Sequence, residues 1–255
     1  YHNHQEREKM AEIVTWTLFE ENPANPDSRS AERFLSPEED EKYQQFKFPK
    51  RRREWLLGRM AAKHLLINSQ AGFSTLSSRS FSIRNEPDGA PYFVTEDGKR
   101  LPGCLSISHT RHLALCALTL AGSLQVGVDL ESIEPRFPAM VDDFFTPAEI
   151  EAVRACPPEQ HDLLITLIWS AKESMLKVLR KGLRLDTRQV EIYLHSKEIT
   201  DQLETSEGNW LPLGARCHDC GRGIWSVAWR RMGDFILTSA SYSEGGEKAI
   251  RWVRV

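Results

Sequence analysis

From Pro49 to about Asn68 the side chains follow a helical period: at 100° per residue, Leu57, Met60 and His64 fall on one face and Arg52, Arg59 and Lys63 on another. The spacing predicts an amphipathic helix with a basic stripe. Just before it, Ser36-Pro37-Glu38-Glu39 has the form of a capping box with proline at the first helical position, so a short helix is expected to start at Pro37. Between Leu105 and Glu131 the period drops towards two. Apolar runs at Leu105–Ser108, Leu113–Leu120 and Gln125–Leu130, broken at His109–His112 and at Ala121-Gly122-Ser123, predict an antiparallel meander. The helical period then returns. Thr146-Pro147-Ala148-Glu149 is a second capping box, and Pro157-Pro158 separates its helix from a long one over roughly Glu159 to Lys181, closed by Gly182. Val190–Leu194, Ile224–Arg230, Phe235–Tyr242 and Ile250–Val255 read as strands, and the prolines of Asn22–Asp27 interrupt any regular structure. Helices followed by strands occur twice, with a seam near Gly122–Gln125. The expectation is an α+β protein of two similar halves, residues 1–123 and 124–255.

Composition narrows the class. A chain of 255 residues, 40% hydrophobic and 27% charged, is long enough for real cores. Apolar stretches such as Leu113–Ala121 fall short of the roughly 18 residues that a membrane helix needs, and mean hydropathy is -0.44. A net charge of -3 and a pI near 6.3 argue against a general nucleic-acid binder. The five cysteines, odd in number and scattered, point to a reducing, cytoplasmic setting. Cys217-His218-Asp219-Cys220 reads as loop thiols, since a structural zinc would need two more ligands at comparable spacing. A chain opening at Tyr1 suggests a processed end, on which His2 and His4 are tail residues.

The candidate chemistry begins in Val126-Gly127-Val128-Asp129-Leu130-Glu131, where strand alternation puts Asp129 and Glu131 on one side. Two carboxylates on one face repel, so a cation should answer them. On the long helix, Trp169, Glu173 and Lys177 follow one another at i, i+4. The plain alternative is a surface pair between Glu173 and Lys177. Against it, the flanking Leu163–Ile165 and Leu167-Ile168 turn this part of the helix towards a core. Three carboxylates with a lysine beside them suit magnesium, which takes oxygen ligands, and a phosphate. Ser106-Ile107-Ser108-His109 ends a strand where backbone N–H groups and a hydroxyl can approach an anion. His109 would gain charge if a phosphate raised its pKa.

Taken in order, Gly89-Ala90-Pro91, Ser106–His109, Val126–Glu131, Phe145–Glu149 and Trp169–Lys177 resemble the 4'-phosphopantetheinyl transferases, and Arg51–Arg59 is similar to the Sfp and enterobactin-type branch. The resemblance implies two α+β halves related by a pseudo-twofold, with coenzyme A in the cleft between them. It implies magnesium-dependent transfer of phosphopantetheine to a serine of an apo acyl, peptidyl or aryl carrier protein, by a cytoplasmic monomer with no nucleic-acid or membrane partner. Carried over by position, Asp129, Glu131 and Glu173 become metal ligands, with Glu173, Lys177 and Glu149 catalytic. Glu149 is placed either as a base towards the attacking serine or as a helix cap. Arg53, Arg59, Pro91, Ser108, His109, Lys172 and Lys177 become coenzyme A contacts, the register of Arg51–Arg53 being open. Ala90 stands where many members have a basic residue, so Lys99 or Arg100 is expected to supply that contact. Arg180, Lys181 and Arg184, beside Leu179, Leu183 and Leu185, form a candidate carrier-docking patch. The alternative reading is an inactive carrier- or coenzyme-A-binding protein of the same fold.

Overall fold

Alternation on three strands sets the layering. Ala114, Cys116 and Leu118 pack against one helix, while Leu113, Leu115 and Ala117, on the other face of the same strand, pack against Val126, Val128 and Leu130. The computed structural model describes residues 12–21, 33–69, 72–194, 209–218, 220–221, 223–244 and 249–255; His2, His4 and all of Asn22–Asp27 lie outside them. The described elements are β1 (Glu12–Glu20), α1 (Pro37–Gln44), α2 (Pro49–Asn68), β2 (Phe81–Asn85), β3 (Pro91–Thr95), β4 (Cys104–Thr110), β5 (Leu113–Thr119) and β6 (Leu124–Ser132). They continue with α3 (Pro138–Phe144), α4 (Pro147–Arg154), α5 (His161–Leu179), β7 (Val190–Tyr193), β8 (Leu211–Cys217), β9 (Ile224–Met232), β10 (Phe235–Ser243) and β11 (Ile250–Arg254).

One sheet runs β11-β1-β5-β4 and the other β6-β10-β9-β8-β7, with β2 and β3 as a hairpin. Helix α2 covers the outer face of the first sheet, and α5 that of the second. The inner faces meet in a shared core around Val14, Trp16, Leu115, Val128 and Leu237. The result is an α+β architecture. The last strand, β11, pairs parallel to β1 and so returns to the first sheet.

The expected meander is half right. β4 and β5 pair antiparallel, but β6 pairs with β10. Where β4 meets β6, side chains replace the backbone ladder: Val126 N donates to Cys104 Sγ at 3.5 Å, Val128 N to Ser106 Oγ at 3.0 Å and Leu130 N to Ser108 Oγ at 3.3 Å. Period-two reasoning locates a strand but does not choose its partner. The long helix also stops earlier than expected. Its C-cap is Arg180, in the left-handed region at φ 57°, with Gly182 two residues further on.

Both capping boxes form, and each is tied into a larger buried frame. Glu39 bonds the Ser36 N–H, accepts from Ile83 N at 2.8 Å and pairs with Lys63 at 2.5 Å. Glu149 bonds the Thr146 N–H, accepts from Ile192 N at 2.8 Å and pairs with Lys172 at 2.9 Å. Lys63 donates to the carbonyls of Ser78 and Phe81, 15 and 18 residues on; Lys172 donates to those of Thr187 and Val190, at the same two separations. Burial pushes both lysines below their ordinary pKa, with the glutamate opposing.

This frame overturns the basic stripe. Lys63 is fully buried, and Arg59 is turned inward over Trp55, bonding Ile83 O and Asn85 Oδ1. Cys217 and Cys220 are joined as a disulfide, their Cα atoms 5.5 Å apart, in place of the expected free loop thiols; Cys104, Cys116 and Cys156 are unpaired.

Candidate active site at the junction of the two sheets

The side chains of β6 divide as alternation requires: Val126, Val128 and Leu130 enter the shared core, and Asp129 and Glu131 face the opposite way. Gly127 lets α5 lie against this strand. A Cβ there would stand 2.0 Å from Ser174 O, so only glycine permits the approach that brings Glu173 and Lys177 over Asp129.

Lys177 reaches across to the strand rather than along its own helix. Its ammonium donates to Val128 O and to Asp129 Oδ1, both at 2.8 Å. Ser108 Oγ donates to the same Oδ1 at 2.8 Å, while Asp129 Oδ2 is buried without a partner. Glu131 is held by Arg136 at 2.7 Å. Burial raises the Glu173 carboxyl to about 7, with Asp129 and Glu131 adding to the rise and Lys177 opposing it. Glu131 is also raised, by burial first and then by Asp129. The three carboxylates therefore sense one another. Among the described residues Glu173 makes no ion pair.

These oxygens, one of them a buried orphan, have the chemistry a hard divalent cation takes. Among the described residues no group of three His, Cys, Asp or Glu side chains stands ready to hold one. Lys177 and Arg136 occupy oxygens of Asp129 and Glu131.

Beside this cluster opens a cleft of about 380 Å³, bounded by the Gly89–Pro91 turn, Arg100, Cys104, Lys177 and Arg180. Pro91 and Arg100 thus line this cleft. Lys99 instead closes the Thr95–Lys99 turn. His109 is partly buried at the end of β4, packed near Gly58, with its pKa lowered by burial and, secondarily, by Lys177 and Arg51 against Glu54.

Other expected site residues are not there. Both oxygens of Glu149 are committed in its frame and its side chain is fully buried, the arrangement of a helix cap. Lys172 is spent on the same frame, and Arg59 on the interior of the N-terminal half. Arg53 is exposed, 3.7 Å from Glu21. The docking patch does not form as expected either: Leu179 and Leu185 pack on the α5 core and Arg180 pairs with Asp88, while the Leu183 side chain lies outside the described ones. Sequence reasoning missed Arg136, although the rule that paired carboxylates need a cation asked for it.

The site is of a mixed-charge class, in which carboxylates from a strand and a helix meet lysine and arginine, and Lys177 also borders the cleft. The family model of the 4'-phosphopantetheinyl transferase superfamily matches residues 125–211, which hold Asp129, Glu131, Glu173 and Lys177. The 4'-phosphopantetheinyl transferase HetI of Nostoc sp. is 30% identical over 167 residues, 64% of this chain and 67% of HetI. The 4'-phosphopantetheinyl transferase Sfp of Bacillus subtilis is 26% identical over 220 residues, 83% of this chain and 89% of Sfp. A holo-(acyl-carrier-protein) synthase from Bacillus anthracis, solved in complex with CoA (3',5'-ADP), overlaps with a TM-score of 0.35 at 25% identity, covering 42% of this chain and 93% of that one. The chain belongs to the 4'-phosphopantetheinyl transferase superfamily. No described helix is long and apolar enough to cross a membrane.

Proposed function

We propose that the protein transfers 4'-phosphopantetheine from coenzyme A to a serine of an apo acyl, peptidyl or aryl carrier protein, releasing 3',5'-ADP, with magnesium as its metal. The observation that carries this is the meeting of Asp129, Glu131, Glu173 and Lys177 beside a cleft that also holds Arg100 and Arg180. Phosphoryl transfer asks chiefly for positioning and neutralisation of charge. Asp129 and Glu173 would hold magnesium, joined by Glu131 once Arg136 releases it. When bound, the ion would neutralise pyrophosphate charge. Lys177, fixed by Val128 O and Asp129, presents its ammonium to a phosphate, and Ser108 fixes Asp129 in turn. His109 and Pro91 would contact coenzyme A. The serine Oγ attacks the β-phosphorus as the bond to the leaving 3',5'-ADP breaks.

The matching frames around Glu39 and Glu149 support two halves divided near residue 123 and related by a pseudo-twofold. Incubation with an apo carrier protein, coenzyme A and magnesium, followed by mass spectrometry of the carrier, tests the reading. A carrier heavier by one phosphopantetheine supports it. An unmodified carrier from every class tried overturns the reaction, and turnover that persists in excess EDTA overturns the metal.

A further inference from the structure

Resting on the coenzyme A reading above, we infer that Arg180 is a phosphate-binding cation of the cleft, held on Asp88 in the free protein and handed to a phosphate of the nucleotide when it enters. Three observations converge on it. Arg180 takes φ 57° and ψ 24°, a conformation that glycine adopts freely and arginine does not, so the backbone gains nothing from an arginine here. The side chain lines the cleft together with Lys177, one turn earlier on α5, and Arg100. Arg100 and Arg180 reach this cleft from different halves of the chain, so cations border it on both sides.

The partner is the second argument. Asp88 is the acidic residue among those lining the cleft, and it comes from the β2–β3 turn of the other half. Its Oδ1 accepts from Ala90 N at 2.9 Å, which fixes the carboxylate, and its Oδ2 lies 3.6 Å from Arg180 Nε. Both side chains are partly exposed, so the pair is weak and easily exchanged for a doubly charged ligand. Arg100 is held more firmly, paired with Glu86 and lying 4.4 Å over the Tyr92 ring. Of the two arginines, Arg180 is the one free to turn inward.

Calorimetric titration of coenzyme A into the full chain, without carrier, tests this with changes in opposite directions. Arg180→Gly should weaken binding about tenfold, as expected for loss of one charge-assisted contact, while its melting temperature stays at or above that of the wild type because the backbone strain is relieved. Asp88→Asn should tighten binding about threefold, since the amide keeps the Ala90 contact but no longer competes for Arg180. Lys181→Ala, the loss of an exposed neighbouring charge, should leave affinity within twofold. Equal affinity in wild type, Arg180→Gly and Asp88→Asn would overturn this inference alone, as would a loss in Lys181→Ala as large as in Arg180→Gly. A wild-type chain that binds no coenzyme A would overturn the functional reading and this inference with it.

Discussion

The Glu39–Lys63 frame of the N-terminal half and the Glu149–Lys172 frame of the C-terminal half share a capping box, a buried ion pair and the same 15- and 18-residue reach to backbone carbonyls. They part just beyond the lysine. In α2, Lys63 is followed by His64 and, five residues on from the lysine, Asn68, which bond each other, Asn68 Nδ2 donating to His64 O at 2.8 Å. In α5 the same two steps from Lys172 give Glu173 and Lys177, and both face Asp129. One scaffold thus occurs twice and carries the reactive cluster once. A buried Lys–Glu pair, which draws attention as a site, is here the part that both halves need to fold.

Breaking the frames should produce the largest effects. Glu149→Gln and Glu39→Gln each leave a buried lysine without its countercharge, and each should cost about 3 to 5 kcal/mol in urea unfolding. The two losses should be alike. Adding Lys172→Met to Glu149→Gln should return most of the stability, because the uncompensated charge goes with it. A fully stable Glu149→Gln protein with abolished turnover would restore Glu149 as a base and end the comparison.

Changes at the diverged positions should separate chemistry from folding. Asp129→Asn or Glu173→Gln should lower kcat about 100- to 1000-fold, the scale of losing one electrostatic element of a preorganised site, with the melting temperature retained. His64→Ala, at the place in α2 that corresponds to Glu173, should leave kcat within twofold. Steady-state kinetics with a carrier protein read both, and equal losses at the two positions would erase the distinction.

Much of this was legible in the sequence. Ser36–Glu39 and Thr146–Glu149 announce two helix starts, because capping is local chemistry written in four residues. Asp129, Glu131, Glu173 and Lys177 are legible because alternation on a strand and i, i+4 spacing on a helix fix their faces. What was not legible depends on partners distant in the chain. Arg59 and Lys63 sit at helical positions that read as a solvated stripe until Asn85 and Glu39 close over them. The partner of β6 is chosen by β10, more than a hundred residues later. Strand β1 alternates apolar Val14, Trp16 and Leu18 with Thr15 and Thr17, but its place between β5 and β11 depends on partners far along the chain.

The charge state of Glu173 offers a smaller and sharper test, made on metal-free protein. Its folded pKa of about 7 lies above its ordinary value of 4.5, so the folded state holds more protons between these two values. Stability should therefore fall as pH rises from about 4.5 to 7, through this group, and level off above. Glu173→Gln removes the penalty. The variant should match the wild type near pH 4 and exceed it by about 3 kcal/mol at pH 8, as read by chemical unfolding at both values. A constant difference across pH would remove Glu173 from the cluster.

The smallest expected effect concerns what the N-terminal half contributes to the site. His109 ends β4, is packed against α2 near Gly58, and lies within the field of Lys177. Burial holds its pKa below the ordinary 6.5, so the free protein carries it neutral at pH 7, and an entering phosphate would raise it. Binding then takes up a proton, and coenzyme A affinity should weaken as pH rises between the free and bound pKa values of this group. His109→Ala should flatten that slope and raise KM for coenzyme A about threefold to tenfold, the scale of one lost charge-assisted contact, with kcat little changed. On the proposed function, the N-terminal half would contribute to nucleotide binding through His109, and the C-terminal half would carry the reaction. A fall in kcat matching that of Glu173→Gln would instead place His109 among the reacting groups and make the two halves partners in the chemistry.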